Sequence, residues 1–143
     1  MLKVEGYTQN DEARVVEFIR EVQPSAEPDK EILSCSVLIK DDERIVGMVS
    51  FKSHGDLGTI RYFLYDARIA GTDIVVGMFF ELYKRAHEKG VKQLIAQVPN
   101  RDVGMLFEML GFTKITGDLS NFSDVIRKDV EIMLINLEGR AFE

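Results

Sequence analysis

The chain has 143 residues, 45% of them apolar and 29% charged, with a net charge of -6. This length and apolar content suit one domain over residues 1–143 with a filled core, and the acidic balance disfavours nucleic acid and anionic membrane as partners, because the overall field repels polyanions. Cys35 is the only cysteine, which excludes an intramolecular disulfide and fits a reducing, cytoplasmic setting.

His54 and His87 lie far apart and, with one cysteine, give no zinc-type spacing, so no metal is expected. The start, Met1-Leu2-Lys3-Val4-Glu5, turns polar too early for a signal peptide. No apolar run reaches the length of a membrane span.

In chain order, Leu2 to Thr8 reads as a short strand. Asn10 can cap a helix with Asp11 and Glu12 in its first turn, where negative charge suits the dipole. Val15, Phe18, Ile19 and Val22 follow at helical spacing, and Pro24 stops the helix. The loop from Ser25 to Leu33 has room for a short second helix starting near Pro28. Cys35 to Lys40 and Arg44 to Lys52 read as a hairpin across the polar turn Asp41-Asp42-Glu43. Gly55 and Gly58 mark the next turn, and Thr59 to Asp66 reads as a third strand of an antiparallel meander.

The period then changes. Thr72 to Lys89 is helical, with first turns apolar nearly all round and therefore expected between layers. Lys84, Arg85, His87 and Lys89 suit its C-terminus, and Gly90 suits its stop. Val91 to Val98 is a strand ended by Pro99. Asn100 can cap a helix that buries Val103, Leu106, Phe107 and Leu110 and ends at Gly111. Phe112 to Thr116 and Val130 to Leu137 read as closing strands around a polar Gly117–Ser123 connection. A meander followed by strand–helix–strand gives an α/β (α+β) architecture, with a mixed, mostly antiparallel central sheet and helices on both faces. The patterns GxxxxGK[ST], GxGxxG and GxSxG are absent.

The stretch from Asn100 to Phe112, ending Phe107-Glu108-Met109-Leu110-Gly111-Phe112, resembles the late helix of the GNAT superfamily of N-acyltransferases. Val130-Glu131-Ile132-Met133-Leu134-Ile135 resembles that family's closing strand, and Arg44-Ile45-Val46-Gly47 its third. The element order matches over almost the whole chain. The resemblance implies the acyl-CoA N-acyltransferase fold, with the sheet splayed between the Thr59–Asp66 and Val91–Val98 strands. It also implies acetyl-CoA or another acyl-CoA in that gap as co-substrate.

The family's strand-to-helix turn carries Q/R-x-x-G-x-G/A, whose backbone N–H groups face the pyrophosphate. Small residues let the backbone approach the phosphates, and the helix N-terminus adds its dipole. This chain offers Arg68-Ile69-Ala70-Gly71-Thr72-Asp73. Arg68 and Gly71 match and Asp73 departs; a register two residues later reads Ala70, Asp73 and Val75. One reading has Asp73 or Thr72 capping the helix. The other has the Asp73 charge competing with the ligand. Leu64, Tyr65, Arg68, Ile69, Ala70, Gly71, Thr72, Asp73, Asn100 and Phe107 are the implied CoA-binding positions.

Where many members of the family carry a tyrosine that protonates the leaving sulfur, this chain has Phe107, so no general acid is identified. Asp66, at the end of its strand, is the candidate base; a turn-initiating role explains it equally. Histidine is a residue type suited to base catalysis near neutral pH, but His54 reads as a loop residue. Tyr62 and Tyr65 are candidates for lining an acceptor site. The implied function is transfer of an acetyl group to an amine of a small molecule or peptide. The alternative is a GNAT-fold binding or regulatory module with weak or no CoA binding, suggested by Asp73 and Phe107. The terminal strands offer a generic surface for a homodimer.

Overall fold

The computed structural model describes residues 1–25, 27–115 and 131–138. The strands are β1 (Leu2–Gly6), β2 (Ser36–Asp41), β3 (Arg44–His54), β4 (Leu57–Tyr65), β5 (Gln93–Val98), β6 (Thr113–Lys114) and β7 (Glu131–Asn136). The helices are α1 (Glu12–Val22), α2 (Lys30–Leu33), α3 (Thr72–Glu88) and α4 (Arg101–Met109). The strands form one 7-stranded sheet in the order β1-β2-β3-β4-β5-β7-β6. Every neighbouring pair is antiparallel except β4–β5. That parallel pair follows from the α3 crossover, because a return in the same direction needs a long connection.

Side-chain alternation along the strands builds two cores. On one face, α3 buries Val75, Met78, Phe79, Leu82, Tyr83 and Ala86 against Val37, Val49, Phe51 and Leu94. On the other, α1 buries Val15, Phe18 and Ile19 against Leu38, Ile45 and Met48. The Tyr83 hydroxyl donates to the Leu110 carbonyl at 2.6 Å and ties α3 to the end of α4. Gly90 and Gly111 follow their helices at φ 84° and 96°, the left-handed stops expected of them.

The expected burial of the first turns of α3 on all sides does not occur. Ile74 and Val76 are partly buried and Phe80 is 58% exposed. The helix lies on one sheet face, and nothing among the described residues covers its outer side. Val22, at the end of α1, is likewise 48% exposed. α2 begins at Lys30, two residues beyond the expected start, where the Asp29 carboxylate accepts from the Glu31 N–H at 3.1 Å. Thr116, the Gly117–Ser123 connection and Val130 lie outside the described residues.

Asn10 does not cap the first helix. The chain enters through a 3-10 turn, Gln9–Asp11, with Thr8 at its N-cap. The buried Asp11 carboxylate accepts from the Thr8 N–H (2.9 Å), the Thr8 hydroxyl (3.1 Å) and Lys40 Nζ (2.8 Å). Burial pushes the Asp11 carboxyl up, but the Lys40 ammonium and the Thr8 donors outweigh it and the group titrates below the ordinary carboxylate range. Breaking a buried pair costs about 3–5 kcal/mol. Lys40 keeps Glu5 at 3.0 Å, so Asp11→Ala is expected to lose about 2 kcal/mol in urea unfolding at pH 7, below that range. The folded pKa is depressed, so this contribution is complete above about pH 4 and is lost as the pH falls through the folded value.

Candidate active site

β4 and β5 are paired only at Leu57↔Gln93, Gly58↔Leu94 and Thr59↔Ile95. Beyond Thr59 they part and leave a cleft of about 440 Å³. The cause is in β4. Val49 pairs with Phe63 and Phe51 with Ile60, so β4 carries one residue more than β3 over this stretch. The Ser50 hydroxyl accepts the Tyr62 N–H at 3.0 Å and fills the interrupted ladder. Such a bulge bends its strand and increases the twist. Meanwhile β7 holds the end of β5 on its other edge, through Gln97↔Ile132 and Val98↔Glu131.

The bulge also sorts the side chains. Ile60 and Phe63 pack into the α3-side core, whereas Tyr62 and Leu64 pack into the α1-side core. Two residues stand between Ile60 and Phe63, so Arg61 shares the α1 side with Tyr62. On β5, Ala96 belongs to the α3-side core, and alternation turns Gln97 to the opposite side. The cleft therefore has an apolar wall of Ile60, Phe63, Ala96, Val103, Leu106 and Phe107, and a polar wall of Gln23, Arg61, Tyr62 and Gln97.

Phe107 is 3% exposed. Its ring packs on those of Phe63 (5.7 Å), Phe79 (5.7 Å) and Phe112 (5.0 Å). Tyr65 stacks on Phe63 at 5.4 Å and lines the cleft where β4 ends. The Tyr62 hydroxyl accepts the Asp29 N–H at 2.8 Å, which ties the α1–α2 connection to β4 and leaves the phenolic proton free to donate. Asn100 caps α4 by accepting the Val103 N–H at 3.0 Å. His54 lies in the β3–β4 hairpin, with Nε2 at 3.4 Å from the Thr59 hydroxyl, and does not line the cleft.

The turn after β4 is held by Asp66. Oδ1 accepts from the Arg68 N–H (3.0 Å) and Nε (3.1 Å), and Oδ2 accepts from Nη2 (3.0 Å). The Arg68 guanidinium holds the Asp66 carboxyl below its ordinary value. The Asp66 carbonyl accepts from the Ile69 and Ala70 N–H groups. Asp66 lines a neighbouring depression with Phe18, Glu21, Arg44 and Arg68, not the cleft between the strands. Its geometry is that of a turn anchor, and its basicity is reduced.

Gly71 is the N-cap of α3 and no side chain caps that helix. Thr72 and Asp73 therefore do not cap it, contrary to expectation. They occupy its first two positions, from which a side chain cannot take over the N-cap role. The first intrahelical bond at this end runs from the Val75 N–H to the Gly71 carbonyl at 3.2 Å. The N–H groups of Thr72, Asp73 and Ile74 are left without helical acceptors. A Cβ placed on Gly71 would meet nothing within 4 Å, so the N-cap position itself borders open space. Ala70 is buried, Ile69 half-buried, and Thr72 and Asp73 are exposed.

Sequence reasoning did not single out Arg61, Gln97 or Gln23. The signal for Arg61 was a break in alternation: Ile60 and Phe63 are both apolar, with two residues between them instead of one.

No family model matches the sequence, and a search of curated proteins finds no match. The architecture is matched by solved structures. A GNAT-family acetyltransferase from Staphylococcus aureus Mu50 superposes with a TM-score of 0.75 at 15% identity, over 96% of this chain and 100% of that one. The ribosomal-protein-S18-alanine N-acetyltransferase of Escherichia coli gives 0.70 at 16% identity, over 99% and 100%. N-acetylglutamate synthase from Neisseria gonorrhoeae, complexed with coenzyme A and N-acetyl-glutamate, gives 0.74 at 15% identity over 96% of this chain. The present chain spans only 35% of that synthase. The fold is the GNAT acyltransferase fold: a mixed, mostly antiparallel sheet with helices on both faces. No described helix is long and apolar enough to cross a membrane.

Proposed function

We propose that the chain is an acyl-CoA-dependent N-acyltransferase, with acetyl-CoA as donor and an amine of a small molecule or peptide as acceptor. The observation that carries this reading is the cleft between β4 and β5, with its apolar and polar walls and an uncapped helix N-terminus beyond the end of β4. The coenzyme A bound in the N. gonorrhoeae synthase complex supports the same ligand class.

The residues fit an acyl-CoA in most respects. The Thr72, Asp73 and Ile74 N–H groups lie at an uncapped helix N-terminus and suit the pyrophosphate. Arg68 is exposed nearby, although its guanidinium is engaged by Asp66. Because the Asp66 N–H bonds the Val46 carbonyl on β3, alternation turns the backbone groups of Phe63 and Tyr65 toward the cleft, where the pantetheine amides can meet them. The apolar wall suits the acyl chain and its thioester. Asp73 is the one discordant group.

An acyl-CoA supplies a thioester carbon to a neutral amine, and the C–N bond forms as the C–S bond breaks. Among the described residues, no carboxylate and no histidine lines the cleft. On this reading the amine proton passes to water. An alkyl thiol such as that of cysteine has a pKa of about 8.5, so the sulfur departs tolerably as thiolate and the lack of a hydroxyl at Phe107 slows the step without preventing it. Accordingly, kcat/KM is expected to rise about tenfold per pH unit up to the acceptor amine's own pKa and to level only there. A break well below the acceptor's pKa in the pH profile would identify a base and contradict this assignment.

Thiol release from acetyl-CoA, measured over amino acids, peptides, polyamines and aminoglycosides, tests the function. Turnover of any amine supports it. The second reading, a module without efficient catalysis, is favoured by Asp73 in the first turn of α3 and by the buried Phe107. Coenzyme A binding with no thiol release over the whole panel would select it.

A further inference from the structure

Among the described residues that line the cleft, Arg61 alone carries a charge. It is exposed and has no ion-pair or hydrogen-bond partner among the described residues. A guanidinium left unpaired beside a cleft is a ready receptor for a carboxylate, which it can grip through two parallel N–H bonds.

The position of Arg61 restricts what it can hold. About 13 Å of strand separates it from Tyr65, at about 3.3 Å per residue. Tyr65 is at the end of β4 nearest the N-terminus of α3, so Arg61 lies away from the donors suited to pyrophosphate. The bulge sets it on the α1 side with Tyr62, opposite the apolar wall suited to the acyl chain. Gln23 and Gln97, on the same wall, add neutral hydrogen-bonding groups.

We infer that the acceptor carries a carboxylate as well as its amine, as an amino acid does, and that Arg61 binds that carboxylate. This rests on the acyltransferase reading and narrows it. The net charge of -6 favours cations at long range, but that field is screened beyond about 8–10 Å, whereas Arg61 acts at contact. A polyamine would instead bring a second cation against the guanidinium.

The test is a ligand-observed NMR titration of matched pairs, ornithine against putrescine and phenylalanine against phenethylamine, with and without coenzyme A. The wild-type chain is expected to bind the carboxylated member at least about tenfold more tightly, the scale of one charge-assisted hydrogen bond. Arg61→Gln is expected to erase that difference, Arg61→Lys to retain part of it, and Arg61→Glu to reverse it. Thermal melts confirm that each variant is folded.

The inference is overturned if the decarboxylated amines bind equally well, if no carboxylated ligand binds, or if the preference survives Arg61→Gln. It is also overturned if Arg61→Gln instead selectively weakens succinyl-CoA relative to acetyl-CoA, which would place the carboxylate on the acyl group. Failure to bind coenzyme A in a parallel thermal-shift series removes the acyltransferase reading, while Arg61-dependent amino-acid binding is read independently of it.

Discussion

Asp73→Gly is expected to tighten acetyl-CoA binding by about one to three decades. Asp73 is the second residue of α3, exposed, beside the free N–H groups of the first turn. Two like charges about 4 Å apart cost on the order of 1 kcal/mol in water and 4 kcal/mol at protein-surface screening. Those limits set the range, and exposure of the carboxylate places the effect toward its lower end. The substitution acts oppositely on the free protein: it removes a favourable charge at the helix N-terminus, worth about 0.3–1 kcal/mol, and introduces glycine, about 1 kcal/mol less helix-forming than alanine. The melting temperature is thus expected to fall while affinity rises. Asp73→Asn isolates the charge and should also tighten binding, with a gain that shrinks in high salt. Unchanged or weaker affinity by calorimetry in both variants would show that Asp73 does not oppose the ligand.

Phe107→Ala is expected to lower unfolding stability by about 3–5 kcal/mol, the usual cost of emptying a buried aromatic site. The ring sits at the junction of α3, α4 and β4, among Phe63, Phe79 and Phe112. Phe107→Tyr tests whether the position is also catalytic. A hydroxyl buried there without a partner costs about 1–3 kcal/mol, and a general acid contributes typically about 10²–10⁴-fold. With Phe107 serving as core, the tyrosine variant should be less stable and no faster. A hundredfold gain in kcat would instead show a thioester within reach of that ring edge.

The elements that position the cleft were legible because their signals are local. Asn100 before a helical run, Gly90 and Gly111 after one, and the change of period after Asp66 each report a boundary through nearby backbone chemistry. The entry to α1 was misread although Thr8 and Asp11 stand at the local capping-box spacing; only the Lys40 contact that also fixes Asp11, 29 residues away, is one that no spacing rule reports. Thr72 and Asp73 resembled caps by composition, but α3 begins one residue earlier than a capping role for Thr72 requires and two earlier than one for Asp73. The partition of the cleft walls was not legible. It depends on a bulge whose only trace is the pair Arg61-Tyr62 between two inward apolar residues, and strict alternation would have put Arg61 and Tyr62 on opposite faces. Asp66 shows the same limit: its place at the end of a strand was visible, but its engagement by Arg68 was not.

The central claim is that the parted strands β4 and β5 accept an acyl-CoA. Calorimetric titration of acetyl-CoA into the wild-type chain tests it most directly. The account predicts saturable binding at one site per chain within the millimolar range. At a ligand concentration of 100 times Kd, that binding would stabilise the fold by about 2.7 kcal/mol. A flat titration to millimolar acetyl-CoA, with no accompanying rise in melting temperature, would contradict it.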